Sequence, residues 1–118
     1  MIYFIYTMFN SFKYAFRGIL DALKSETNLK IHFIISIVVI LLAIYLEFSA
    51  LEFTVLFLTI SLVIILEFIN TVVEKLSDIV HPDKSEKVRI VKDISAGAVL
   101  IGAVASIIIG VFLFLPKL

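Results

Sequence analysis

Residues 67–78 read Glu67-Phe68-Ile69-Asn70-Thr71-Val72-Val73-Glu74-Lys75-Leu76-Ser77-Asp78, inside a largely apolar run from Phe53 to Val80 that holds neither Gly nor Pro. Glu67, Asn70, Glu74 and Asp78 recur at intervals of three, four and four. At about 100° per residue, that spacing keeps all four side chains within one stripe of a helix. An ionisable group near the middle of a membrane span costs about 2.5–3.5 kcal/mol on insertion scales, so Glu67 implies a partner or a task.

Working outward, the whole chain is too apolar for a water-soluble domain. Of 118 residues 62% are hydrophobic, and the mean hydropathy is +1.16, against about 45–50% apolar residues in ordinary globular chains. The composition predicts an all-α integral membrane protein. Three spans use up residues 1–118 as a single domain, so any chemistry must be built on the spans or beside them. Basic and acidic residues number ten each, so net charge points to no nucleic-acid partner. The absence of cysteine excludes disulfides, thiolate nucleophiles and Cys-type metal sites.

Residues 1–24 predict an amphipathic helix on the membrane surface. Ile5, Met8, Phe9, Phe12, Phe16, Ile19, Leu20 and Leu23 recur at helical spacing, with Asn10, Lys13, Arg17, Asp21 and Lys24 on a separate stripe. A signal peptide is disfavoured, because Met1 to Phe9 has no basic start and no Ala-x-Ala-like end. Ser25-Glu26-Thr27-Asn28 reads as a turn or helix cap. The first span is assigned to 31–48, the second to 52–80 and the third to 92–115. His81 to Lys87 forms a polar loop after the second span, with Pro82 ending the helix. Ala98, Gly102, Ser106 and Gly110 fall every fourth residue on the third span, a spacing that lets helices pack closely in lipid.

Basic residues set the orientation. Lys13, Arg17, Lys24 and Lys30 precede the first span, and Lys75, Lys84, Lys87, Arg89 and Lys92 cluster around the 81–92 loop, whereas the connection at 47–52 has none. The positive-inside rule then puts the amino terminus and the 81–92 loop in the cytoplasm and the carboxyl terminus outside. Measured from Phe53, Glu67 lies about 21 Å along a path of about 30 Å, so the polar stripe climbs from the cytoplasmic surface toward the bilayer interior.

Beside that stripe the inner surface would carry Glu26 and the pair Lys92-Asp93. Hard carboxylate oxygens with a lysine suit a magnesium–nucleotide complex, since Mg2+ takes one or two carboxylates plus phosphate oxygens and a lysine neutralises phosphate. Nothing resembles the Gly-rich Walker loop. Glu67, deeper on the same face, suits a general base acting on a neutral hydroxyl. Two other readings stand beside this one. Asn70 and Thr71 also serve as interhelical hydrogen-bond glue, and Glu67 alone would suit a small oligomeric proton-coupled transporter or channel, which leaves Glu26, Lys92 and Asp93 unexplained. His32 and His81 lack a second histidine or cysteine at ligand spacing, so both are read as solvated or interfacial.

The run from Glu67 to Asp78, followed by Lys92-Asp93 and Ser95-Ala96-Gly97-Ala98-Val99-Leu100, resembles the signature E-x-x-N-S/T-x-x-E-x-x-x-D, K-D, A-x-A-V-L of the small prokaryotic diacylglycerol kinases. Ser11 to Ile19 fits the family's surface helix and Glu26-Thr27-Asn28 its E-x-N segment. Ala96 to Leu100 and the ending Phe114-Leu115-Pro116-Lys117-Leu118 resemble the undecaprenol kinase branch most. The resemblance implies a homotrimer with composite sites at the cytoplasmic face of the cell membrane, phosphorylating undecaprenol with ATP, diacylglycerol being the alternative acceptor. It implies Glu67 as catalytic base, Asn70 as an orienting group, and Glu26 and Glu74 as ligands of the divalent metal. It further implies that Lys92, Asp93 and Tyr14 meet ATP and that Asp78 lines the same face. Asp83-Lys84-Ser85 departs from the family's acid-Tyr-His segment, and Thr7 stands where some members carry arginine.

Overall fold

The computed structural model describes residues 1–83 and 85–118, and the departure noted at Lys84 lies outside the described residues. The chain begins with α1 (Ile2–Ser25), whose last turn ends on a single extended residue, Glu26, at φ −115° and ψ 112°. Glu26 serves both helices at this joint. Its N–H donates to the Ala22 carbonyl, closing α1, and it is the N-cap of α2 (Thr27–Tyr45). The break predicted over four residues is therefore one residue long. Thr27 and Asn28 join the first turn of α2, where main-chain N–H groups need no partner within the helix.

The joint from α2 to α3 (Ala50–Val80) is built from two caps in series. Phe48 N–H donates to the Ala43 carbonyl and Glu47 N–H to the Ile44 carbonyl, each at 3.1 Å, the paired pattern that ends a helix through one left-handed residue. That residue is Glu47, at φ 57°, a position that favours glycine. Ser49 then opens α3 reciprocally. Its hydroxyl accepts from the Glu52 N–H at 3.2 Å, while the Glu52 carboxylate accepts from the Ser49 N–H at 2.9 Å. This Ser-x-x-Glu box is readable in the sequence, where periodicity and charge alone mark 47–52 only as a connection without basic residues.

The polar 81–85 segment leads to α4 (Glu86–Phe114), capped by the Ser85 hydroxyl, which accepts from the Val88 N–H at 3.2 Å. α4 starts well ahead of the span assigned to 92–115, so its first two turns carry Glu86, Arg89, Lys92 and Asp93 at the polar end. A short 3-10 turn over Leu115–Lys117 follows. α2, α3 and α4 are each long and apolar enough to cross a membrane, and no strand occurs among the described residues.

The three spans run up, down and up. At the end carrying the α2–α3 joint, Ala43, Phe48 and Leu56 form a buried cluster packed by Phe53, Leu113 and Phe114. Phe48 anchors it, with ring centroids 4.8 Å from Phe114 and 5.8 Å from Phe53. Midway, α3 and α4 pack closely at Gly102, where an added Cβ would stand 2.5 Å from the Leu66 side chain. The other stripe glycine, Gly110, has open space at that position. Residues four apart advance about 40° around a helix, so a stripe of that spacing rotates away from a straight partner after a turn or two.

The radius of gyration is 17.7 Å, well above the about 13–14 Å of a compact chain of this length. α1 meets the spans through buried Ala22 and a groove its second half shares with Phe68 and Thr71. Large apolar side chains such as Ile34, Leu41, Leu58, Ile101 and Phe112 face outward. In lipid that exposure costs little, since acyl tails are as apolar as leucine.

Candidate functional site at the polar end of the bundle

The polar stripe is graded along α3. Glu67 and Thr71 are buried, each 6% exposed, Asn70 and Glu74 are half-buried, and Asp78 is exposed. Glu67 therefore faces the protein interior, away from surrounding lipid. Its Oε1 lies 3.1 Å from His32 Nε2 on α2. An ionised carboxylate only accepts, so against ionised Glu67 the imidazole donates Nε2–H. The Thr71 hydroxyl donates to the Glu67 main-chain carbonyl at 3.0 Å, which disposes of the other buried polar group on this face.

His32 corrects the sequence reading, which made it a solvated or interfacial residue. α2 already runs through Thr27–Tyr45, which turns His32 toward α3 with only 27% of its side chain exposed. The two partners are 35 residues apart on different helices, and ligand spacing within one segment cannot reveal such a pair. His81 is exposed, and its Nδ1–H donates to the Asp83 carbonyl at 3.0 Å.

One turn toward the polar end, Asn70 Nδ2 donates to Glu74 Oε1 at 3.2 Å, leaving Asn70 Oδ1 buried without a partner among the described residues. Such a group ordinarily finds one. Further on, Lys92 Nζ of α4 donates to Asp78 Oδ1 at 2.6 Å. Arg89 donates to Asp93 Oδ2 at 2.5 Å and also holds Glu86. Asp78, Arg89, Lys92 and Asp93 line an open cleft of about 620 Å³ between the end of α3 and the start of α4. In the sequence reading Arg89 is only one basic charge of the 81–92 loop. Its flanking acids at Glu86 and Asp93, three and four residues away, were the signal that it belongs to a helix face.

Tyr14 and Glu26 lie on other elements, α1 and the α1–α2 joint. Tyr14 is 62% exposed on α1, with the Arg17 guanidinium 5.7 Å from its ring centroid. Glu26 is half-buried at the α1–α2 joint, and its carboxylate makes no capping hydrogen bond among the described residues. Thr7 is occupied locally, its hydroxyl donating to the Tyr3 carbonyl at 2.9 Å. No group of three or more His, Asp and Glu side chains converges as a metal cage among the described residues.

The geometry thus joins a buried acid, a half-buried amide and carboxylate, and a water-exposed cleft lined by both charges. The sequence profile of prokaryotic diacylglycerol kinase matches residues 13–114. The chain belongs to the prokaryotic diacylglycerol kinase family. The family match takes in Tyr14, Glu26, the whole stripe and Lys92-Asp93, and leaves Thr7 outside it. A diacylglycerol kinase of Synechocystis sp. is 41% identical over 109 residues, covering 92% of this chain and 62% of the relative, so the chain spans under two thirds of that protein. An undecaprenol kinase of Bacillus subtilis is 36% identical over 110 residues, covering 93% of this chain and 89% of the relative.

Proposed function

We propose that the protein is a lipid kinase that transfers the γ-phosphoryl group of ATP to the hydroxyl of a membrane alcohol, with undecaprenol as the substrate. The observation that carries this reading is the gradient on α3. A carboxylate sealed from water at Glu67 shares one face with groups that open, two to three turns on, into the charged cleft at Asp78 and Lys92. A water-soluble donor and a lipid-dissolved acceptor each reach one end of that face. The reaction forms a bond from the lipid oxygen to the γ-phosphorus and breaks the bond from that phosphorus to the oxygen kept by ADP. The proton of the lipid hydroxyl passes to Glu67, which keeps 8% of its side-chain surface, so only a narrow approach is open.

The donor set fits a divalent cation. Glu74 keeps Oε2 outside the Asn70 hydrogen bond, Glu26 carries an uncommitted carboxylate, and the unpartnered Asn70 oxygen between Glu67 and Glu74 marks a place lacking a polar neighbour. Glu26 and Glu74 would hold Mg2+, which when bound neutralises charge on the ATP phosphates. Lys92 and Asp93 in the cleft, and Tyr14 on α1, are the groups of this chain that would meet the nucleotide. Asn70 orients the acceptor beside Glu67. A homotrimer with the complete site formed between copies belongs to the same reading, supported by the lack of any group of three His, Asp or Glu side chains gathered among the described residues of one chain. The positive-inside rule puts the cleft, the amino terminus and ATP on the cytoplasmic side of the cell membrane, with the carboxyl terminus outside.

Undecaprenol is preferred because the undecaprenol kinase relative aligns over nearly the full length of both chains. The 41% identity to a diacylglycerol kinase favours diacylglycerol as the second reading. Purified protein given labelled ATP and each lipid in separate reactions is expected to label undecaprenol faster. Faster labelling of diacylglycerol would reverse the substrate assignment, and label in neither lipid would remove the kinase reading.

A further inference from the structure

The half-buried histidine beside Glu67 has no role in the reading given above, and its surroundings define one. His32 closes one end of an apolar cavity of about 260 Å³ between α2, α3 and α4, which extends to Leu113 and Phe114 at the opposite end of the bundle. Among the described residues lining it, the polar side chains other than His32 are Ser36, Thr59 and Ser106, and each donates to a carbonyl of its own helix: His32, Val55 and Ala103 respectively. The cavity therefore offers the imidazole no hydrogen-bond donor. Glu67 Oε1 at 3.1 Å is its side-chain partner. A hydrogen bond shielded by apolar walls is stronger than the same bond in water, and it fixes the carboxylate rotamer.

From this geometry we infer that His32 is a positioning residue of the phosphoryl-transfer site: its Nε2–H holds Oε1 of Glu67, so that Oε2 alone is presented to the acceptor hydroxyl. The inference rests on Glu67 being the base. The hydroxyl O–H bond breaks with its proton going to Oε2, while the oxygen electron pair forms the new O–P bond. His32 keeps its own proton throughout and touches neither ATP nor lipid. Without it the Glu67 carboxylate is free to rotate about its terminal bonds, and misplacing a reacting group by about 1 Å costs roughly a hundredfold in rate.

Two polar replacements separate position from polarity. The glutamine side chain reaches far enough for its amide N–H to replace the imidazole Nε2–H, and the asparagine side chain falls short. His32→Gln in the full-length, membrane-reconstituted protein is expected to stay within about threefold of the parent kcat, whereas His32→Asn drops about ten- to hundredfold with KM for ATP unchanged. In a Glu67→Gln background, His32→Asn is expected to cause no further loss, since the group it positions is gone. Equal turnover of the Gln and Asn variants, or an undiminished Asn effect in the Glu67→Gln background, would overturn the role of His32 while leaving Glu67 as base. Normal turnover of Glu67→Gln by itself would instead remove the base assignment, whatever the histidine variants do.

Discussion

At the joint between α2 and α3, polar side chains close on their own backbone: Ser49 and Glu52 cap each other, and Glu52 also takes Lys117 at 3.0 Å. Around them Ala43, Phe48 and Leu56 pack out of contact with solvent. The other end of the same helix is built differently. There Glu67 is held from a different span, Asn70 Oδ1 is left unpartnered among the described residues, and Asp78 and Lys92 meet across an open cleft. Polar groups that terminate helices are satisfied within a few residues, whereas these are brought together from 14 and 35 positions apart. The Glu52–Lys117 bridge is longer in range still but joins partly exposed side chains, whereas Glu67 is paired while buried, and a buried carboxylate on a span points to chemistry because glue is available more cheaply from hydroxyls and amides.

The contrast predicts that substitutions at the two ends change different measurements. Glu67→Gln should cut kcat at least about 10²-fold, the effect of losing a general base, with the unfolding transition in detergent little changed. A large loss of stability with normal specific activity would move Glu67 into the structural class. Phe48→Ala should do the reverse, costing about 3–5 kcal/mol of stability by emptying the aromatic cluster while kcat of the folded fraction stays within about twofold. Glu47→Gly should stabilise by about 1 kcal/mol, because glycine adopts the left-handed conformation without steric cost, and thermal unfolding reads the gain. Smallest of all, Lys117→Ala should cost no more than about 0.5 kcal/mol: its bridge to Glu52 joins side chains that are both partly exposed. A larger loss there would mean the joint is held together by its ion pair rather than by its caps and aromatic packing.

Much of the architecture was legible beforehand. Hydropathy gave three spans and a surface helix because each is a property of consecutive residues, and the stripe at Glu67, Asn70, Glu74 and Asp78 was legible because helical geometry alone puts those residues on one face. The ends were less so. The Ser25–Asn28 break shrank to Glu26 since a single extended residue suffices to redirect a chain between two helices. The Gly102 contact could not be separated from open Gly110 by spacing, because which glycine meets Leu66 depends on where two straight helices cross.

The same division holds at the site. By itself the sequence determined that carboxylates lie along one face of a membrane helix and that a basic segment follows it, since periodicity and charge are local quantities. Only the tertiary structure decided that Glu67 turns inward, that His32 holds it, and that Lys92 closes on Asp78. The physical reason is that a hydrogen bond between helices is fixed by their rotation and crossing, which packing at residues such as Gly102 and Leu66 sets, and which no single segment encodes.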